Sequence, residues 1–213
     1  MTLQHPEQTP FVSGGDLTLI SDGEISADAH FQSGGDLRFL DLASAPGSIV
    51  SLYDPILLAN GDVVLGDYTG VALKVEAQGS IDAGDIVITG PDTTLRADGS
   101  GSDVDLLASS RAAILRAGVN ADVGHSPGNI TVSTINTSDV TGGDGGPIIL
   151  EAAGDITASG VFLGPRGEFV TLGAFSFSDT GDSGNGGAIT ISSRSGDISL
   201  VGSQQENLLL GPD

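Results

Sequence analysis

Cysteine is absent from this chain, which excludes disulfides and thiolate chemistry and leaves the compartment open. Tryptophan is absent too, and aromatic residues make up only 4% of the 213 positions. The hydrophobic share of 38% is enough for a core, but one built from Ile, Val, Leu and Ala rather than from large rings. Such a core is thin and regular, and it suits stacked strands in which small branched side chains repeat layer upon layer. Positive charge is scarce: 7 Lys and Arg stand against 28 Asp and Glu, for a net charge of −21, and Lys74 is the sole lysine. A chain so acidic repels phosphate backbones and anionic lipid, so nucleic acid is excluded as a partner. Long apolar runs are missing as well. Leu208-Leu209-Leu210 is far shorter than the roughly 18 residues of a membrane helix. The opening Met1-Thr2-Leu3-Gln4-His5 has neither the basic nor the apolar region of a signal peptide, and Leu210-Gly211-Pro212-Asp213 ends abruptly. The expectation is a piece of a longer protein.

What the sequence does have is glycine, 33 residues of it, set in a repeat. Phe11-Val12-Ser13-Gly14-Gly15-Asp16-Leu17 returns 20 residues later as Phe31-Gln32-Ser33-Gly34-Gly35-Asp36-Leu37. An alternating stretch follows each copy, Leu17-Thr18-Leu19 and Leu37-Arg38-Phe39, the sign of a strand with one buried face. Looser copies begin at Gly61-Asp62, Gly84-Asp85, Gly154-Asp155 and Gly196-Asp197. A sister unit reads Gly146-Pro147-Ile148-Ile149-Leu150 and Gly187-Ala188-Ile189-Thr190-Ile191, with Gly128-Asn129-Ile130-Thr131-Val132 as a third copy. The offsets of 42 and 41 residues between the late copies read as two turns of about 20. This ordered pattern also argues against the disorder that an acidic, Gly-rich composition otherwise suggests.

A period of about 20 residues fits one coil of a β-solenoid, three short strands and their corners. The fold class expected is all-β, a right-handed parallel β-helix with inserted loops. Residues 1–10 form an N-terminal extension and 11–213 the repeat domain, with about ten coils. Phe11 should lie over Phe31 and Leu17 over Leu37 as interior ladders. Glycine's access to positive φ, and aspartate's hydrogen bonding in turns, account for the corners. Residues 41–59, 91–103 and 161–180 fit the period worst and read as loops between coils. Leu106 to Arg116 suits a short helix by composition, while Ala113 to Gly118 suits a strand equally well. An antiparallel sandwich would use Asn60-Gly61, Asp22-Gly23 and Asp98-Gly99 as hairpin turns, but it gives no cause for the 20-residue self-similarity.

The Ser-Gly-Gly-Asp-Leu units, the string Asp67 to Ile81, and the paired units Gly146 to Ile156 and Gly187 to Ile198 resemble filamentous-haemagglutinin-type repeat proteins, most of all large cyanobacterial members. The resemblance covers most of residues 11 to 200. It implies a long β-helix exported by two-partner secretion, acting at the bacterial cell surface in adhesion or as an extracellular fibre. Its partners would be flanking coils or other copies end to end, cell-surface glycans or receptors, and an outer-membrane secretion partner. No leader or secretion domain is recognisable at the N-terminus, so the chain would be part of the rod.

Candidate chemistry is sparse, and no catalytic residue is assigned. Gly181-Asp182-Ser183-Gly184 echoes a serine-protease loop, but His5, His30 and His125 sit in no partner motif, and a Gly-rich corner explains the string. Gly142-Gly143-Asp144-Gly145-Gly146-Pro147 approaches a calcium nonapeptide, with proline where the metal needs a carboxylate. Stacked Gly-Asp units would place like carboxylates about 4.8 Å apart, and calcium would relieve that repulsion. Asp16, Asp36, Asp144, Asp155 and Asp197 are the candidates for it; otherwise no cofactor is expected. A polysaccharide lyase or hydrolase on this scaffold would need paired carboxylates, aromatic platforms and basic groups, and the last two are few. Ice binding would need a regular threonine array, which Thr131-Val132-Ser133-Thr134 and Thr190-Ile191-Ser192 do not supply. Asn129-Ile130-Thr131 and Asn136-Thr137-Ser138 fit glycosylation sequons but read as polar corners.

Overall fold

The computed structural model describes residues 2–4, 11–53, 56–96, 99–119, 128–178 and 184–200. Their strands fall into three seven-stranded sheets, in which every pairing is parallel and every neighbour is one circuit away in sequence. The first face stacks Thr2–Gln4, Ile25–Asp28, Ile49–Ser51, Tyr68–Val71, Ile86–Gly90, Ile135–Asn136 and Leu172–Gly173. The second stacks Phe11–Ser13, Phe31–Ser33, Ile56–Ala59, Leu73–Ala77, Ala113–Ala117, Ile148–Ala152 and Ile189–Ser193. The third stacks Leu17–Ile20, Leu37–Leu40, Val63–Val64, Ile81–Ala83, Ile130–Val132, Ile156–Ala158 and Ile198–Leu200. The chain visits the three faces in turn and so makes seven coils of a parallel β-helix, a stack about 30 Å long at the usual strand spacing. Thr2–Gln4, within the segment read as an extension, pairs with Ser26–Asp28 and belongs to the first coil.

Alternation sets the interior. In Phe31–Ser33, Leu37–Leu40 and Leu73–Ala77 every second residue is buried, and the inward residues of all three faces form one continuous core. Phe11 lies over Phe31 with ring centroids 5.5 Å apart and planes 15° from parallel, and Leu17 lies over Leu37, as the repeat predicts. Phe39 meets Phe31 edge-on at 5.4 Å. Tyr68 brings a phenol into this interior. Its hydroxyl donates to Val71 O at 2.8 Å, and burial, with Asp92 and Asp28 nearby, holds its pKa well above the usual tyrosine value.

The later repeats differ from the sequence reading. Ile148 pairs directly with Ile189, and Ile156 with Ile198. The offsets of 41 and 42 residues are therefore one coil each, lengthened by insertions, and the described residues make seven coils where the repeat suggested about ten for the chain. Gly128-Asn129-Ile130 is no sister unit: Ile130 pairs with Ile156 on the third face. Gly84-Asp85 opens the first face instead, because Ile86 pairs with Tyr68. Segment 41–59 holds two strands, Ile49–Ser51 and Ile56–Ala59, and only its first part is a loop. Segment 161–180 holds an antiparallel hairpin, Phe162–Leu163 with Phe169–Val170, and then the first-face strand Leu172–Gly173.

Residues 91–112 form the insertion that matters most for the surface. Its helix α1, Asp103–Ser109, starts at Ser102, whose hydroxyl accepts from Asp105 N, and carries Asp103 and Asp105 in the first turn, where the helix dipole favours acids. Both compositional readings of 106–116 hold in part, since α1 ends at Ser109 and Ala113–Ala117 is a strand. Leu107 and Leu95 from the insertion meet Ala72, Ala112 and Ile114, with Ile56 and Ile149 at the margin, in a second small core outside the second face.

Candidate functional site

The Gly-Asp corners come together as a ladder between the second and third faces. Asp36 N donates to Asp16 Oδ1 at 2.9 Å, and Asp62 N to Asp36 Oδ1 at 2.8 Å. Ser80 N donates to Asp62 Oδ1 at 2.7 Å, and Asn129 N to Ser80 Oγ at 3.1 Å. Asp155 N donates to Asn129 Oδ1, and Asp197 N to Asp155 Oδ1, each at 2.8 Å. One side-chain oxygen per coil thus accepts the backbone N–H of the next, from the first coil to the seventh. Shorter ladders use Asp67 with Asp85 N at 2.9 Å and Asp144 with Asn185 N at 2.7 Å.

The glycines serve this ladder by close approach rather than by positive φ. Positive φ among glycines is confined to Gly99, Gly101, Gly118, Gly142 and Gly167 among the described residues. A Cβ on Gly35, Gly61, Gly79 or Gly196 would instead collide with the Oδ1 of the aspartate one coil below.

The calcium candidates divide between these ladders. Asp16, Asp36, Asp155 and Asp197 share the long one, and Asp144 stands in another. Arg38 lies across Asp16 and Asp36, 3.7 Å from Asp16 Oδ2 and hydrogen-bonded to Asp36 Oδ2. Among the described residues no three His, Cys, Asp or Glu side chains are grouped to hold a metal ion. The protease-like string lies outside the described residues except for Gly184, and so do His5 and His125. Thr131 stacks on Thr157, but Asp82 precedes them on the same face.

A charged cluster that the sequence reading missed lies on the second face beneath α1. Glu76, Arg116 and Glu151 stand in register on three successive coils. Arg116 Nη1 is 2.5 Å from Asp103 Oδ2 and 3.2 Å from Glu76 Oε1, and Arg116 Nε is 2.5 Å from Glu151 Oε2. Lys74 Nζ is 3.0 Å from Glu76 Oε1 and 2.9 Å from Asp103 Oδ2. The cluster ties the helix to the sheet. A second tie joins Arg111 to Asp139 at 2.9 Å; the Thr141 hydroxyl, with Arg111, holds the Asp139 carboxyl below its usual range.

The Arg116 hydrogen bond, with help from Lys74 and against the cost of burial, lowers the Asp103 pKa from 3.8 to about 2. Its folded value lies below its unfolded value, so the stabilisation is full above about pH 4 and is lost as pH falls toward 2. The side chain is 24% exposed, and screening reduces the contribution to about 1 kcal/mol. Amide exchange in α1, corrected for the intrinsic pH dependence of amide exchange, should therefore quicken between about pH 4 and about pH 2.5 more than in the third face. Equal acceleration in both would remove Asp103 as the cause.

Two shallow grooves adjoin the cluster on either side of Val119. One, of about 180 Å³, is lined by residues including Gln32, Leu58, Asn60, Glu76 and Gln78. The other, of about 410 Å³, is lined by Arg116, Glu151, Ser192 and Arg194 among others. Compared with protein-family models, curated proteins and solved structures, the chain matches none.

Proposed function

We propose that this chain is a non-catalytic structural or adhesive module, a rigid acidic rod of a secreted or cell-surface bacterial protein of the filamentous-haemagglutinin type. The observation that carries this reading is the side-chain ladder running through all seven coils, which fixes each coil on the next and suits a part whose task is to keep its length. Export by two-partner secretion, attachment to cell-surface glycans or receptors, and continuation by flanking coils or other copies belong to the same proposal. A polysaccharide-binding or polysaccharide-degrading role is the second reading, favoured by the polar groove at Arg116, Glu151, Ser192 and Arg194.

A reducing-sugar assay against a panel of acidic polysaccharides, run beside a glycan-binding array, separates the two. The structural reading expects no new reducing ends. Release of reducing ends that disappears in Glu151→Gln would replace it with the enzymatic one.

A further inference from the structure

The corner between the third and first faces of the sixth coil carries a hairpin that joins none of the three long sheets. Phe162–Leu163 pairs with Phe169–Val170, and Gly164-Pro165-Arg166-Gly167 makes the turn between them. Gly167 N donates to Gly164 O at 3.0 Å, with proline second in the turn and Gly167, at φ +85°, in the fourth place, where each is favoured. Gly164 N donates to Glu168 O at 2.7 Å, and Arg166 N to Glu168 Oε2 at 2.9 Å. Leu163 and Phe169 are 66% and 70% exposed, and Arg166 and Gly167 are exposed as well. The hairpin is fastened at its base instead, where Phe162 lies against Gly173 and the Thr171 hydroxyl donates to Gly160 O at 2.9 Å. Residues 163–169 can therefore straighten with the loss of a few hydrogen bonds and of no core contact.

The other basic residues are placed differently. Arg38, Lys74, Arg111 and Arg116 are ion-paired, and Arg38, Lys74 and Arg116 lie on strands held between the coils on either side. Arg96 directly follows Leu95, which is buried in the small core beside α1. Arg194 N donates to Ala152 O of the coil before it. An endoprotease takes its substrate as an extended segment, so the rate of a cut follows the share of molecules in which that segment is open. At these residues opening breaks core contacts, ion pairs or coil-to-coil bonds; at Arg166 it breaks only the turn.

We propose that the peptide bond between Arg166 and Gly167 is a processing site, the bond that a serine endoprotease of trypsin-like specificity cuts first in the folded protein. The guanidinium of Arg166 enters the protease's acidic specificity pocket while residues 163–169 straighten into its cleft. Water adds across the bond and leaves a carboxylate on Arg166 and an amine on Gly167. The cut leaves the rod standing, because the chain on both sides of it stays in the sheets. Ile148–Ala152 and Ile156–Ala158 hold Ile189–Ser193 and Ile198–Leu200, and Ile135–Asn136 holds Leu172–Gly173. The site is the same whether the rod is a structural part or an enzyme, so its failure leaves that reading untouched.

Brief digestion of the folded full chain with a trace of trypsin tests this, with mass and N-terminal sequence of the products, size-exclusion chromatography of the nicked sample and a thermal melt. The expected first products are residues 1–166 and 167–213, eluting together and melting within about 2 °C of the uncut chain. Arg166→Gln should slow the loss of intact chain at least about tenfold. It should leave the melting temperature unchanged, because Arg166 bonds the turn through its N–H, which the substitution keeps. A first cut at any other basic residue, intact chain lost as fast in Arg166→Gln as in wild type, a bond that resists trypsin throughout, or nicked halves that separate would overturn the proposal.

Discussion

Gly61→Ala should lower the melting temperature by about 10 °C, whereas Gly15→Ala, whose Cβ would meet nothing within 4 Å, should leave it unchanged. Gly61 has no positive φ to lose. Its difficulty is space: a Cβ there collides with Asp36 Oδ1 and lies 2.9 Å from both Asp36 N and Gly35 C. Two of these three atoms are backbone and cannot swing aside. Moving the carboxylate breaks its bond to Asp62 N, and an N–H left without a partner costs about 1–3 kcal/mol. Forcing the coils apart adds about 1–3 kcal/mol of overpacking. The two ranges sum to about 2–6 kcal/mol; a mid-range cost of about 4 kcal/mol gives the expected shift, since each kcal/mol moves the midpoint of a chain this size by about 2–4 °C. Adding Asp36→Ala should cost less in the Gly61→Ala background than alone, because the bond that Asp36 Oδ1 makes is already broken there. Thermal melts of wild type, the two single variants and the double variant check this; additive effects would mean that the aspartate does not sit in the glycine's place.

Phe11 and Phe31 make the solenoid legible because no insertion separates their coils, and the 20-residue step appears undisturbed. Later the period is hidden by what the coils carry. From Val75 to Leu115 is one step of the stack but 40 residues of sequence, with α1 between them. The helix does leave a signal. Ala113-Ile114-Leu115 and Ile148-Ile149-Leu150 do not alternate, as strands covered on both faces do not, and Ile114 is buried under α1. The cluster shows in the sequence only as matching triplets, Val75-Glu76-Ala77, Leu115-Arg116-Ala117 and Leu150-Glu151-Ala152, whose alignment needs the register of the coils. Asp103 carries no such mark, because its place depends on how an inserted helix folds back. Aspartate at the corners is legible as a residue but not as a bond. Stacked carboxylates suggest repulsion and a cation, whereas the N–H of the next coil supplies the partner.

Arg116→Leu should loosen α1 without unfolding the coils. The guanidinium meets three carboxylates, and its loss leaves Asp103 and Glu76 to share Lys74 while Glu151 turns to water. Removing one partner of a fully buried ion pair costs about 3–5 kcal/mol. Glu151 is 46% exposed and Arg116 20%, so solvent offsets part of that and about 2 kcal/mol remains. Against it stands the apolar contact of Leu107, fully buried and worth about 2 kcal/mol or more, which keeps the helix docked most of the time. The expected result is amide exchange in Asp103–Ser109 faster by about thirtyfold, with the third face unchanged. Arg116→Lys should fall between, since an ammonium cannot span three acids as the planar fork does. Exchange in α1 at the wild-type rate in Arg116→Leu would mean that Leu107 and its neighbours hold the helix alone and that the cluster is only a solvated surface.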